Sequence, residues 1–234
     1  MAYKQKSDKT RAARKPKAGK TIYGIIGMGR FGQRLAERLL ELKNNVMIVD
    51  DNADRINILA PHFTNAQIAD CTNPDVLKAL GVDTFDICFV TIGENFQSSL
   101  EISSQLKELG AKRVISKANR DIQAKFLLRN GADEVVYPER DMAEKLAVRC
   151  SANNLYDFIE LTADYSIFEI PALPDWVGKT IGAINIRRKY DMNVLTIKKN
   201  GSEIIMPTAD YQFDRDDHVI VLGKKNDVLR LISK

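Results

Sequence analysis

The stretch Tyr23-Gly24-Ile25-Ile26-Gly27-Met28-Gly29-Arg30-Phe31-Gly32 predicts the fold of the first half of the chain. Its apolar beginning is typical of a buried strand, and its Gly-x-Gly-x-x-Gly end is typical of a phosphate-binding turn that opens a helix. In such a turn Gly27 permits the tight bend, Gly29 lets a phosphate approach the backbone, and Gly32 lets the helix pack closely on the strand. The first N–H groups of that helix have no partner within it, so its start attracts an anion.

A second strand and an acidic residue follow at the spacing of a dinucleotide-binding βαβ unit. Residues 46–49 are apolar, and Asp50 comes directly after them, 18 residues beyond Gly32. A carboxylate at this position accepts hydrogen bonds from the ribose hydroxyls of an adenosine and repels a 2′-phosphate. The alternative is a βαβ turn that binds no ligand. The glycines, strand, helix and acid together favour the nucleotide site.

The alternation of apolar runs with helical patterns divides the chain into domains. It continues with six predicted strands through residue 138, which indicates a Rossmann-type, doubly wound parallel α/β domain at residues 21–138. A helix is expected to connect this domain to the remainder over residues 139–156. Residues 157–234 contain short strands, a short helix at 178–188 and the hairpin signal Asn200-Gly201, which together predict a small α+β lobe.

The composition is that of a globular protein with a basic tail. Hydrophobic residues make up 44% of the chain and charged residues 28%, and no apolar run approaches the length of a membrane span. No secretion signal is recognisable, so a cytoplasmic protein is expected. Residues 1–20 hold eight Lys or Arg and one Asp, a charge of +7, which leaves −3 of the total +4 for the remainder.

The basic tail has few large apolar residues and is predicted to be disordered. It is expected to contact an anionic membrane surface or nucleic acid, or simply to be solvated, and its composition leaves these alternatives open. No aromatic interleaving or nucleic-acid recognition motif accompanies it, and no nucleic-acid partner is expected. Cys71, Cys88 and Cys150 are far apart, which predicts reduced thiols rather than a disulfide framework or a zinc site.

The sequence offers no recognisable catalytic constellation. The two histidines, His62 and His218, fall in a loop and at the start of a strand, where a surface role is the simpler interpretation. The sequence contains neither a metalloprotease helix motif nor a Gly-x-Ser-x-Gly elbow, and the C-terminal lobe is small for a substrate domain. We therefore expect binding without chemistry. An NAD-dependent oxidoreductase and a redox-sensing DNA-binding protein are the alternatives.

Three motifs together resemble the RCK (or KTN) domain family. They are the glycine motif with Asp50, the stretch Thr91-Ile92-Gly93-Glu94-Asn95, and the stretch Pro138-Glu139-Arg140-Asp141-Met142. The resemblance covers about residues 21–234 and includes Asn185-Ile186-Arg187-Arg188-Lys189-Tyr190 in the C-terminal lobe. This family supplies the cytosolic regulatory domains of Ktr- and Trk-type potassium transporters, and the Ktr-type soluble subunits are the most similar.

The resemblance implies an assembly and a set of ligands. It implies a homo-octameric gating ring docked on a membrane-embedded, potassium-translocating, KtrB-like subunit at the inner face of the cell membrane. It implies ATP or ADP in each N-terminal domain, with NAD or NADH as alternative ligands and a divalent cation, Mg²⁺ or Ca²⁺, beside the nucleotide. It further implies cyclic di-AMP between paired C-terminal lobes. ATP is expected to support the active transporter, and ADP and cyclic di-AMP the inactive one.

The resemblance also implies which residues bind the nucleotide. Arg30 is implied to sense the terminal phosphate, and the alternative is a helix-start arginine in solvent. Lys117 either reaches phosphates or forms a salt bridge. The complete predicted set is Gly27, Gly29, Arg30, Phe31, Gly32, Asp50, Asp51, Asp70, Cys71, Ile92, Gly93, Asn95 and Lys117.

The resemblance assigns two further groups of residues. Glu139 is implied to help hold the divalent cation; otherwise it is an acid favoured by the dipole at the start of a helix. The cyclic di-AMP site is implied to use Ile186, Arg187, Tyr190 and Pro207. Charge alone favours a solvated face for the Arg-Arg-Lys run, so both interpretations stay open.

Overall fold

The computed structural model describes residues 21–151, 154–200 and 202–232. The chain divides after Pro138 into two compact units. The predicted basic tail at residues 1–20 and Gly201 of the predicted hairpin lie outside the described residues. Among the helices that are described, none is both long enough and apolar enough to cross a membrane.

The first unit is built on a parallel six-stranded sheet. Its strands are β1 (Ile22–Ile26), β2 (Asn45–Asp50), β3 (Asn65–Ile68), β4 (Ile87–Val90), β5 (Val114–Lys117) and β6 (Glu134–Val136). The helices between them are α1 (Arg30–Glu41), α2 (Ala53–Leu59), α3 (Pro74–Ala79), α4 (Phe96–Glu108) and α5 (Asp121–Arg129). The strand order is β3-β2-β1-β4-β5-β6. This order confirms the predicted Rossmann-type, doubly wound domain.

Both faces of this sheet are covered, because neighbouring residues of a strand point to opposite faces. On one face Ile25 and Ile48 pack with Ala36 of α1. On the other face Ile26 packs with residues of α3 and α4, among them the fully buried Leu77. Burying one such large apolar side chain contributes roughly 1.5–3 kcal/mol. The two cores hold α1 and α4 against opposite faces of the sheet.

The second unit contains an antiparallel five-stranded sheet. It begins with α6 (Pro138–Ser151), which starts at the last residue of the first unit. Its strands are β7 (Asp157–Glu160), β8 (Tyr165–Pro171), β9 (Asn193–Lys199), β10 (Glu203–Ile205) and β11 (His218–Lys224), in the order β10-β9-β11-β8-β7. Its other helices are α7 (Ile181–Ile184), α8 (Ile186–Tyr190) and α9 (Lys225–Ile232). This arrangement confirms the predicted small α+β lobe.

The single short helix predicted at residues 178–188 is two helices in the structure. Asn185 separates α7 from α8, and its φ of 56° lies in the left-handed region. Asparagine tolerates this conformation better than most residues, and one such residue ends a helix. The chain therefore turns at Asn185, and Ile186 enters the core beside Trp176 and Phe213.

The turn after β1 is closely packed at one glycine and open at another. A Cβ placed on Gly32 would overlap the Gly27 carbonyl oxygen and lie 2.5 Å from Thr91 Oγ1. A Cβ placed on Gly29 would meet no atom within 4 Å. Gly32 is therefore required by packing, whereas Gly29 borders open space.

We predict that Gly32→Ala destabilises the first unit by roughly 1–3 kcal/mol or more, because the added methyl group has no room. The matched variant Gly29→Ala should cost less than about 1 kcal/mol, since that methyl group meets nothing and only the helix cap is weakened. Urea denaturation followed by circular dichroism measures both values. Equal losses in the two variants would contradict the packing described for Gly32.

Candidate functional site

For this strand order, a ligand crevice is expected between the carboxyl ends of β1 and β4. These strands are neighbours in the sheet, and the helices that follow them, α1 and α4, pack on opposite faces. Open α/β sheets bind ligands at such a switch point, outside the carboxyl ends of the strands, because the two connections leave toward opposite faces there. The residues at this edge are the glycine turn after β1 and the stretch Thr91-Ile92-Gly93-Glu94-Asn95 after β4.

Two buried side chains hold the glycine turn in place by hydrogen bonds. The hydroxyl of Thr91 donates to the carbonyl oxygen of Gly27 at 2.5 Å. The carboxylate of Asp50 accepts a hydrogen bond from the backbone N–H of Met28 at 2.5 Å. The turn is thus bonded to β4 on one side and to β2 on the other. Sequence reasoning did not assign this role to Thr91, because no sequence signal indicates the direction in which its hydroxyl points.

Asp50 is the residue predicted to contact the ribose. Its side chain is only 3% exposed. Oδ1 accepts the N–H of Asn52 at 2.9 Å, and Oδ2 lies 3.4 Å from Nη1 of Arg55. A carboxylate has about four acceptor positions, and the contacts with Met28, Asn52 and Arg55 use three of them. Asp50 therefore holds the turn and is chemically suited to the predicted ribose contact.

The end of the edge next to β2 and β3 is acidic. Thr72 donates its backbone N–H and its hydroxyl to Asp70 Oδ1 at 2.9 and 2.7 Å, and these bonds lower the pKa of that carboxyl. Burial, together with the nearby carboxylates of Asp70, Asp51 and Asp50, raises the pKa of the Cys71 thiol to about 12. Asp51 is exposed, and the Cys71 side chain packs in the core. The predicted Cys71 contact therefore does not involve an ionised thiol.

Cationic side chains lie at the glycine turn and on the β5 side of the edge. Arg30 is the first residue of α1 and is exposed, while Phe31 is half-buried. Lys117 ends β5, and its Nζ atom lies 3.2 Å from the place where a Cβ on Gly93 would stand. The absence of a side chain at Gly93 thus leaves room for the ammonium group of Lys117 above the end of β4.

The stretch after β4 is itself held in place. The side-chain amide of Asn119 donates to the Gly93 carbonyl oxygen at 2.9 Å. Asn95 caps α4 by accepting the N–H of Ser98 at 3.1 Å. A Cβ on Gly27 would lie 2.9 Å from the side chain of Ile92, so the two connections are in close contact. The structure therefore brings the predicted residues of both connections together, and it adds Asn119, which sequence reasoning missed.

Glu139 lies in the first turn of α6. Within the described ranges, no group of three or more His, Cys, Asp or Glu side chains is placed to hold a metal ion. Glu139 thus offers one carboxylate, and a divalent cation would take its other ligands from phosphate oxygens or other molecules. The metal role of Glu139 stays a prediction.

The four residues predicted to contact cyclic di-AMP lie in different environments. Arg187 is exposed on α8, Pro207 is half-buried just after β10, and Ile186 is buried in the core with 2% exposure. Tyr190 is half-buried, and the Lys189 ammonium lies 5.1 Å from its ring centre. Arg187 and Tyr190 are therefore accessible side chains, whereas Ile186 serves to anchor the helix.

The pKa of Tyr190 reflects these neighbours. Burial acts to raise it, but the Trp176 indole and the Lys189 ammonium outweigh burial and lower the pKa.

The two histidines are outside the set of residues predicted to bind the nucleotide. His62 is exposed in a 3₁₀ turn, and His218 Nδ1 lies 2.7 Å from Glu169 Oε1 in the second unit.

Comparison with known proteins identifies the family. The TrkA-N domain model matches residues 23–138, and the TrkA-C domain model matches residues 165–234. Ktr system potassium uptake protein C of Bacillus subtilis (strain 168) is 38% identical over 211 residues, which are 90% of this chain and 96% of that protein. The chain belongs to the Ktr potassium uptake protein family. Ktr system potassium uptake protein A of the same organism is 34% identical over 89% of this chain and 94% of its own length.

A solved structure shows the same fold in a larger protein. The GsuK channel bound to NAD matches 94% of this chain with a TM-score of 0.65 and 20% sequence identity. This chain spans 40% of that channel. The match shows a shared fold, and together with the family assignment it confirms the resemblance to RCK domains inferred from the sequence.

We predict that Asp50→Ala costs roughly 1–3 kcal/mol of folding free energy, because the buried N–H of Met28 and the part-buried N–H of Asn52 lose their acceptor. The adjacent variant Asp51→Ala removes an exposed carboxylate and should change stability by less than about 0.5 kcal/mol. Asp50→Ala should also weaken all adenosine ligands together. Urea denaturation and calorimetric titration measure the two effects. A loss of affinity for a single adenosine ligand would count against the ribose role.

Proposed function

We propose that this protein is a cytosolic regulatory subunit that binds an adenine nucleotide and thereby controls a membrane-embedded potassium transporter. The single observation that carries the proposal is the crevice between β1 and β4, with a fastened glycine turn between an acidic and a basic end. A nucleotide has the complementary pattern, because ribose hydroxyls donate to carboxylates and phosphates bind cations and free N–H groups.

The phosphate end of the proposed site is formed by the start of α1. The open space at Gly29 lets a phosphate reach the first N–H groups of the helix. Arg30 follows directly, and its planar guanidinium is suited to bidentate contacts with phosphate oxygens, including those of a nucleotide on a neighbouring subunit. Lys117 supplies a second cation above Gly93. We assign ATP and ADP to the site, with NAD or NADH as alternative ligands of the same crevice.

The NAD alternative has independent support, because the GsuK channel of the same fold is known with NAD bound. An NAD-dependent oxidoreductase would also bind this ligand. Among the residues described around the crevice, the polar groups are carboxylates, threonine hydroxyls, an arginine, a lysine and amides, and the histidines lie elsewhere. A redox-sensing role for Cys71 or Cys88 is disfavoured, since burial raises the pKa of each thiol to about 12. We therefore propose binding without hydride transfer.

The proposed mechanism is a ligand-driven change in a homo-octameric ring docked on a KtrB-like, potassium-translocating subunit at the inner face of the membrane. A ligand shifts such an equilibrium only by its difference in affinity for the two states. Moving the population from 1:99 to 99:1 requires about 5.5 kcal/mol of differential binding. One charged hydrogen bond contributes roughly 1.5–3 kcal/mol, so several copies of the Arg30–phosphate contact must act together.

Two further ligands belong to this proposal. A divalent cation, Mg²⁺ or Ca²⁺, beside the phosphates would use the carboxylate of Glu139 as one of its ligands. Cyclic di-AMP would bind the second unit, with Arg187 on a phosphate and Tyr190 beside a base. In this scheme Ile186 acts through the core, because its side chain is buried.

We predict that Arg30→Ala keeps ADP affinity near the wild-type value and lowers ATP affinity about tenfold or more, because one charged contact to the terminal phosphate is lost. The matched control is Arg34→Ala, which removes an arginine that is 84% exposed on the same helix and paired with Glu37. Calorimetric titration with ATP and with ADP measures the ratio of the two affinities in each variant. Retention of the ATP preference in Arg30→Ala would contradict the proposed phosphate sensor.

The transport role is tested in cells that lack their own potassium uptake systems. Co-expression of this chain with a KtrB-like subunit should restore growth at low potassium concentration. The Gly32→Ala variant should fail to restore it, because the turn is disrupted. Equal growth with and without this chain would contradict the regulatory role.

A further inference from the structure

Arg55 lies on a short hydrogen-bonded chain that begins at Asp50. The carboxylate of Asp50 accepts the N–H of Asn52, and the side chain of Asn52 accepts the N–H of Arg55 at 3.1 Å. The side chain of Arg55 then turns back, so that Nη1 lies 3.4 Å from Asp50 Oδ2. The backbone of Arg55 is thus fixed relative to the carboxylate that is proposed to bind the ribose, and its head group lies beside that carboxylate.

The contact between Arg55 and Asp50 is weak enough to be replaced. The most favourable N–H···O distances are 2.7–3.2 Å, so the 3.4 Å contact is long. The same oxygen also accepts the N–H of Met28. A guanidinium has five N–H donors, and this contact uses one of them. The Arg55 side chain is 51% exposed, so its remaining donors have access to a ligand at the carboxylate.

The surrounding charges are otherwise acidic. Asp51 and Asp54 are exposed on the same connection, and Asp70 follows the neighbouring strand β3. With Asp50, these carboxylates disfavour a second phosphate at the ribose. Arg55 is the cation on this connection, and it contacts the carboxylate that the ribose hydroxyls would approach. A phosphate on the 2′-oxygen would therefore come close to this guanidinium.

We infer that Arg55 determines how strictly this site excludes 2′-phosphorylated nucleotides. The inference rests on the proposed nucleotide site and adds a specificity-determining residue to it. With Arg55 present, the guanidinium offsets part of the repulsion between Asp50 and a 2′-phosphate, so exclusion is incomplete. Without the positive charge of Arg55, this offset to the four carboxylates (Asp50, Asp51, Asp54 and Asp70) is lost, and the site excludes a 2′-phosphate more strictly. A ribose with a free 2′-hydroxyl depends much less on this cation.

The test compares AMP with adenosine 2′,5′-bisphosphate, since the two ligands differ only in the 2′-phosphate. The full chain is titrated as wild type, Arg55→Gln and Arg55→Lys. The control Arg38→Gln removes the same charge from an exposed arginine on α1 that is paired with Glu41. We expect Arg55→Gln to keep AMP affinity within about threefold and to weaken the bisphosphate about tenfold, in line with the loss of one charged contact.

The outcomes separate this inference from the proposal on which it rests. Near-wild-type discrimination in Arg55→Lys and in Arg38→Gln would support a role for the charge at position 55. An unchanged ratio of the two affinities in Arg55→Gln, or an equal loss for both ligands, would overturn the inference while leaving the nucleotide site in place. If the wild type binds neither AMP nor the bisphosphate, both the proposed site and the inference are overturned.

Discussion

The pair of hydrogen bonds that fastens the turn after β1 is the constraint on which the candidate site depends. Asp50 accepts the N–H of Met28, and Thr91 donates to the carbonyl oxygen of Gly27. These bonds join three adjacent strands at one edge of the sheet. They hold Gly29 beside open space and start α1 immediately after it, so the backbone N–H groups are oriented before a phosphate arrives. A preorganised turn of this kind avoids the entropy cost of ordering on binding.

The charges along that edge follow from the strand order. Asp50 and Asp70 end up on the β2–β3 side, the glycine turn lies in the middle, and Lys117 lies on the β5 side. A nucleotide bound along this edge as proposed would meet carboxylates at its ribose and cations at its phosphates. The second unit has its own core around Trp176. The proposed nucleotide in the first unit and the proposed second ligand in the other unit are compatible with a regulatory subunit, in which each ligand acts through its preference for one state.

The fold of the first unit was predictable because glycine spacing, apolar runs and Asp50 indicate the same βαβ arrangement. The partners of individual atoms were not. The sequence does not indicate which atom the Thr91 hydroxyl contacts, and only the close contact of two connections directs it to Gly27. Likewise Ile186 shares a polar helix with Arg187, yet the left-handed turn at Asn185 directs it into the core. The residue types were visible in the sequence, whereas their orientations depend on contacts between distant segments.

The most direct test of this account is calorimetric titration of the nucleotide-free, full-length protein with ADP. The account predicts one saturable site per chain with submicromolar to micromolar affinity, an exothermic contribution from the phosphate contacts, and little competition from adenosine without phosphates. A folded protein that shows no saturable binding of ADP, or that binds adenosine as tightly as ADP, would contradict the assignment of the crevice between β1 and β4 as a nucleotide site.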